Sequence, residues 1–283
     1  LAAEKKPPYY APVGGLPPQE RLVTGKSHFT EAYAVIGKDA QQDITASYLP
    51  GWQATRLWVL ARPMTGFAET FSHYLMEVAS KGGSDTPEEE MTAEAVLFVV
   101  SGTAELILEG ETYQLVAGSY VYIAPAARWS LQNRSAAPCC FHWIRKIWQP
   151  AAGLDKPESF VTSDAATAPL AMPDTDGCWS TSRFVDPADM RHDMHINIVN
   201  FEPGGLIPFA ETHVMEHGLY ILQGSGVYYL NGDWVAVEAG DFLWLRAFCP
   251  QACYASGTGP FRYLLYKDVN RHMPLKAAAA PTG

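Results

Sequence analysis

The chain has 283 residues, 48% of them hydrophobic and 18% charged, with a formal net charge of -10 and a sequence pI near 5.2. That length allows one large domain or two of ordinary size, and the composition is that of a globular protein with a buried core. The acidic balance argues against nucleic acid and anionic membrane as partners, and no apolar run approaches the roughly 18 residues a membrane span needs.

The N-terminus, LAAEKKPPYYAPVGGLPPQE, is polar and proline-rich and lacks the apolar stretch of a signal peptide. Residues 1–50 read as an extended arm. Beyond it, 23 glycines and 21 prolines punctuate short runs rich in Val, Ile, Leu, Tyr, Trp and Phe. AVLFVVSG, AELILEG and YVYIAP come first; GLYILQG, GVYYLNG and DFLWLRA follow in the second half. Runs spaced by about eight to twelve residues predict an all-β sandwich or barrel with little helix. Asn231-Gly232, between GVYYL and DWVAV, predicts a two-residue hairpin turn, where both residues need positive φ. Glu88-Glu89-Glu90 reads as a solvated loop. The five cysteines, Cys139, Cys140, Cys178, Cys249 and Cys253, show no disulfide spacing and read as free thiols in a reducing cytoplasm.

The two halves repeat. A shift of 122 residues carries Glu94 onto Glu216, Leu97 onto Leu219, Gly102 onto Gly224, Leu108 onto Leu230, Gly110 onto Gly232 and Gly118 onto Gly240 without a gap. The same shift carries Gly82-Gly83 onto Gly204-Gly205, Phe141 onto Tyr263 and Arg145 onto Lys267. A fixed-period self-match predicts one β fold used twice. The plan is an arm at 1–50, a first β domain at 51–150, a linker at 151–177, a second domain at 178–272 and a disordered tail at 273–283.

Residues 211–217 read ETHVMEH. HVMEH fits the H-x-x-E-H zinc-protease pattern, which works only on a helix. Gly218 and an alternating β run follow, and Pro203, Gly204, Gly205 and Pro208 precede, so no helix is expected here. On a strand, residues of one parity share a face. Glu211, His213 and His217 are all odd, and with a bend between the histidines all three point into one barrel interior. A carboxylate and two neutral imidazoles suit a divalent transition metal. Their counterparts in the first copy are Glu89, Met91 and Ala95, so a metal is expected in the second domain only. The alternative is a pair of histidines that pack without binding anything. His195 and Asn197 are assigned to core or rim; His28, His73, His142, His192 and His272 have no partner pattern.

The E-x-H-x3-H spacing followed by Gly240-Asp241 resembles the two cupin motifs, and the whole chain resembles a bicupin. More narrowly, DMHINIVNFEPGG, ETHVMEHGLYILQGSGVY, GDF and YLLYKDVNR resemble the (S)-ureidoglycine aminohydrolases, whose bacterial members were labelled glyoxylate-induced proteins. The resemblance implies two tandem cupin barrels (double-stranded β-helix, jelly-roll). It implies a metal, Mn(II), in the C-terminal cupin on Glu211, His213, His217 and Gln251; the first-copy counterpart of Gln251 is Trp129. An oxygen- and nitrogen-rich set with an amide oxygen suits Mn(II) and is also compatible with Fe, Ni or Zn. The implied reaction hydrolyses (S)-ureidoglycine, a small anionic ureido substrate, to (S)-ureidoglycolate and ammonia in purine and allantoin catabolism. Tyr228, Tyr263 and Lys267 fall on the family's pocket positions. Lys267 is assigned either to the substrate carboxylate or to proton transfer, and Glu211, as a ligand that can shift, is the second candidate for proton handling, the choice between them being left open. A homo-oligomer is expected. The rival readings are an Fe(II) cupin dioxygenase and a non-catalytic small-molecule-binding bicupin.

Overall fold

The apolar runs fold as strands because their β-branched and aromatic residues alternate between two buried or half-buried faces. The computed structural model describes residues 27–41, 49–63 and 65–269. The expected tail at 273–283, His272 and much of the arm lie outside the described residues.

The arm carries β1 (His28–Phe29) and β2 (Tyr33–Ile36). The first barrel uses β3 (Gln53–Ala61), β4 (Ser72–Ser84), β5 (Ala93–Ser101), β6 (Thr103–Leu108), β7 (Glu111–Val116), β8 (Ser119–Ile123), β9 (Trp129–Gln132) and β10 (Cys139–Ile147). The linker holds β11 (Phe160–Ser163) and β12 (Leu170–Ala171). The second barrel uses β13 (Trp179–Arg183), β14 (Met194–Phe201), β15 (His217–Gln223), β16 (Ser225–Leu230), β17 (Asp233–Glu238), β18 (Phe242–Leu245), β19 (Gln251–Ala255) and β20 (Phe261–Asp268). Among the described residues there is no α-helix, only 3-10 turns at Lys38–Ala40 and Asp164–Ala166. No helix is long and apolar enough to cross a membrane. The protein is an all-β fold of two tandem barrels, the architecture that the resemblance implied.

In the second barrel one wall runs β1-β2-β18-β15-β20-β14-β13-β12, faced by the three-stranded wall β17-β16-β19. In the first barrel the order is β11-β8-β5-β10-β4-β9-β6-β7, with β3 also on β4. There the 13-residue β4 pairs with both β10 and β9, which joins the two walls.

The repeat is visible strand by strand from β5–β10 to β15–β20. Asn231 and Gly232 have φ of 49° and 104° at the β16–β17 hairpin, and Glu109 and Gly110 have 51° and 90° at its first-copy counterpart. A side chain at Gly102 would put a Cβ 2.2 Å from the Pro138 carbonyl oxygen, and at Gly224 2.3 Å from that of Pro260. The shift of 122 does not extend backward unbroken. Arg145 pairs with Ser72, whereas Lys267 pairs with His195, so β4 and β14 are displaced by one further residue. The match of Gly82-Gly83 to Gly204-Gly205 is therefore a match of sequence, not of sheet position. The first pair lies inside β4 and the second in the turn after β14.

Two segments cross between the barrels. The arm strand β2 completes the second barrel by pairing with β18, Val35 opposite Leu243. The linker strand β11 completes the first by pairing with β8, Val161 opposite Val121. Each covers a sheet edge that would otherwise be open.

Three cores result. Leu97, Leu106, Phe141 and Trp143 fill the first barrel; Leu219, Ile221, Tyr228 and Tyr263 fill the second. A third joins the barrels back to back, with Phe71, Phe98, Tyr220, Phe242 and Tyr266 among its members. Inside it the His73 and His142 rings contact each other through nitrogens 2.9 Å apart, a packing role. All five cysteines are free; Cys178 is half-buried and the others are buried.

Candidate metal centre and substrate cleft

β15 starts at His217, and its odd residues His217, Leu219 and Ile221 face the barrel interior while Tyr220 and Leu222 face the first barrel. β20 follows the same rule, with Tyr263 and Lys267 inward and Leu264 and Tyr266 outward. His217 and Lys267 are direct cross-strand partners.

The segment before β15 is not a regular strand. Glu211 forms an isolated bridge with Gln251, the two exchanging backbone hydrogen bonds of 2.9 Å in both directions. Their side chains therefore leave the pair on the same side. The chain then bends at 214–215, and the His213 carbonyl accepts from the Phe248 amide at 2.6 Å. That bend turns the His213 ring toward His217, with centroids 5.0 Å apart. His213 Nε2 lies 3.2 Å from Glu211 Oε1.

These residues open onto a cleft of about 150 Å³ at the barrel mouth. Glu211, His213, His217, Gln251, Tyr263 and Lys267 all line it. Tyr228 does not. It belongs to the opposite wall, where even residues point inward, and it is fully buried beneath Tyr263 with ring centroids 6.1 Å apart. Asn197 reaches the cleft; His195, buried beside Lys267, is not part of its lining. Arg183 also lines it, and no sequence motif singled that residue out.

Burial governs the charge states. It lowers His217 to about 3 and His195 to about 4, so both imidazoles are neutral near pH 7. Lys267 is lowered by burial first and by the Arg183 charge second. Burial pushes the Tyr263 hydroxyl well above its usual range, so it stays protonated.

Glu216 faces the other way. Its carboxylate accepts from the Glu69 and Thr70 amides at 2.7 and 2.9 Å, the Thr70 hydroxyl at 2.5 Å and Trp244 Nε1 at 2.6 Å. It clamps the second barrel to the first and is not a base in the cleft, which removes the protease reading on geometry.

Among the described residues, no group of three or more His, Cys, Asp or Glu side chains is drawn together as a closed metal cage. Glu211 and His213 are turned onto each other instead. The donor chemistry nevertheless fits a metal. One carboxylate, two imidazoles and an amide share the cleft, and buried His217 keeps an Nδ1 with no hydrogen-bond partner. Among the described residues the first barrel offers no such place. Trp129 stands where Gln251 stands, packed on Trp143 and Trp52 at 5.9 and 6.3 Å, and Met91 is 53% exposed.

Comparison with known proteins agrees with this architecture. The cupin domain family matches residues 74–145 and 197–266. An (S)-ureidoglycine aminohydrolase of Escherichia coli (strain K12) is 29% identical over 233 residues, covering 82% of this chain and 87% of that protein. An (S)-ureidoglycine aminohydrolase of Arabidopsis thaliana is 33% identical over 227 residues, covering 80% of this chain and 73% of that protein. The crystal structure of a candidate glyoxylate-induced protein from Pseudomonas aeruginosa is 60% identical, superimposes with a TM-score of 0.90 and covers 96% of this chain and all of that one.

Proposed function

The chain belongs to the cupin family and to its branch of (S)-ureidoglycine aminohydrolases and glyoxylate-induced proteins, and from that premise we propose that it hydrolyses (S)-ureidoglycine to (S)-ureidoglycolate and ammonia with a bound divalent metal, Mn(II). The observation that carries the reading is the single cleft that gathers Glu211, His213, His217 and Gln251 beside Lys267 and Tyr263. Those first four residues would hold the metal. When bound, it supplies a positive centre that anchors the substrate and stabilises developing negative charge.

The carbon–nitrogen bond to the substrate's amine breaks and a bond to a water oxygen forms at the same carbon. Water gives up a proton and the amine leaves with one. In this reading Glu211 takes the proton from water, since it is the carboxylate in the cleft. Lys267 donates to the leaving amine; its ammonium is half-buried and its pKa is lowered, which makes it a better acid. The Tyr263 hydroxyl remains protonated and donates a hydrogen bond to the substrate without losing its proton. The apolar floor of Leu219 and Leu265 keeps water off the far side of the cleft. The free thiols suit a reducing compartment, and we place the protein in the cytoplasm.

The test is ammonia release from freshly made ureidoglycine, corrected for spontaneous decay, with metal-stripped and Mn(II)-reloaded protein beside His213→Ala. Mn(II)-dependent release that the substitution abolishes is expected. Release at the background rate by reloaded wild type would overturn the reading.

A further inference from the structure

The inner face of the second barrel is a regular grid. Across β13, β14, β20 and β15 one row reads Arg183, Asn197, Leu265, Leu219; the adjacent row reads His195, Lys267, His217 from β14 onward. Arg183 thus sits one row from Lys267 and two strands away. Both line the same cleft.

Arg183 is exposed into that space and forms no ion pair among the described residues. Among the described residues Arg62, Arg128 and Arg246 are likewise in no ion pair, but of these four only Arg183 lines the cleft that holds Lys267. Five arginines are paired: Arg56 with Glu77, Arg262 with Asp164, Arg145 with Glu88, Arg191 with Asp189 and Arg134 with Glu105. The charge of Arg183 is felt across the cleft, since it helps to lower both Lys267 and His195. Two cations here face one carboxylate, Glu211, which already contacts His213. A locally positive cleft in a chain of net charge -10 needs an anion to settle it. In the first barrel the position opposite Tyr74, which corresponds to Asn197 once the one-residue displacement is allowed for, is Val59. The barrel without the site also lacks this cation.

We infer that Arg183 is the carboxylate anchor of the cleft, taking the acid group of the substrate on its guanidinium and making an α-carboxylate a requirement for binding. A guanidinium presents two parallel N–H donors that match a carboxylate, which an ammonium cannot do. Lys267, in the row beside His217, is thereby left for the reacting end. The inference rests on the aminohydrolase reading for the identity of the acid, but the anchor itself is tested by binding alone.

The probe is N-carbamoylglycine, which has the ureido and carboxylate groups and no leaving amine, compared with its primary amide. Affinities for the full-length Mn(II)-loaded protein are read by calorimetry for wild type, Arg183→Gln, Arg183→Lys and Lys267→Gln. Wild type should prefer the acid. Arg183→Gln should weaken the acid at least about tenfold, the scale of one charge-assisted hydrogen bond, and leave the amide unchanged. Arg183→Lys should restore part of the loss, and Lys267→Gln should keep the acid preference. With ureidoglycine, Arg183→Gln should raise KM more than it lowers kcat. Wild-type affinity for the acid in Arg183→Gln, or no acid preference in wild type, overturns the anchor. If wild type releases no ammonia while Arg183→Gln still loses acid binding, the reaction reading fails and the anchor stands.

Discussion

His217 and Lys267 stand directly opposite each other on β15 and β20, with His195 on the far side of Lys267 in the same row. Side chains at such a pair have Cβ atoms about 5 Å apart, so a neutral imidazole and an ammonium share one corner of the cleft. Burial keeps His217 uncharged and so removes the repulsion that two cations would suffer there.

The pair should separate two functions. His217→Ala removes a metal ligand in the proposed reading and should lower Mn(II) retention by at least about 100-fold. Lys267→Met should retain the metal and lose about 100-fold or more in kcat, the range of a lost acid catalyst. Metal content by mass spectrometry beside ammonia release distinguishes the two. A Lys267→Met protein that loses its metal would contradict the division.

Glu216 should matter for stability instead of proton transfer. Its buried carboxylate satisfies four donors, two of them amides of the first barrel. Of those donors only Trp244 Nε1 is in a fully buried bond, while Glu69 and Thr70 can turn to water, so Glu216→Ala should lose about 1–3 kcal/mol in urea unfolding. An unchanged midpoint would show that the barrels do not depend on this clamp.

Trp129 fills the place that Gln251 occupies in the second barrel. Trp129→Ala should cost about 3–5 kcal/mol through the cavity it opens. It should leave metal content and ammonia release at wild-type levels, because its contacts are Trp52 and Trp143. Loss of metal in this variant would argue that the first barrel contributes to the centre.

Glu94 provides a pH signature. It is fully buried with Tyr122 donating to it at 2.7 Å, and Asp193 and Lys146 nearby; burial raises its pKa from 4.5 to about 8. The folded chain keeps this proton up to about pH 8, while the unfolded chain releases it near 4.5. Folding therefore takes up a proton in that window, and the Glu94 contribution to stability falls as pH rises through it. Glu94→Gln should gain stability relative to wild type between pH 6 and 8, measured as the difference in Tm. A constant difference across that range would show that Glu94 is ionised when folded.

Much of this protein was legible in its sequence because its information is local. Strand alternation has a period of two, so parity within β20 already paired Tyr263 with Lys267 on one face; Glu211 and His213 reach the cleft instead through the bridge to Gln251 and the bend before β15. The spacing of glycines announced the repeat, since Gly102 and Gly224 face the same steric demand from Pro138 and Pro260. What required the tertiary structure was every relation set by strand pairing across distance. The one-residue displacement of β4 against β14, the burial of Tyr228 beneath Tyr263 and the exchange of β2 and β11 between barrels depend on register and on which wall a strand joins. Parity tells which residues share a face, but not what that face meets. Arg183 reaches the cleft only because β13 pairs with β14 at the end of the wall, and Glu216 turns from His217 toward Thr70 only because the first barrel packs behind it.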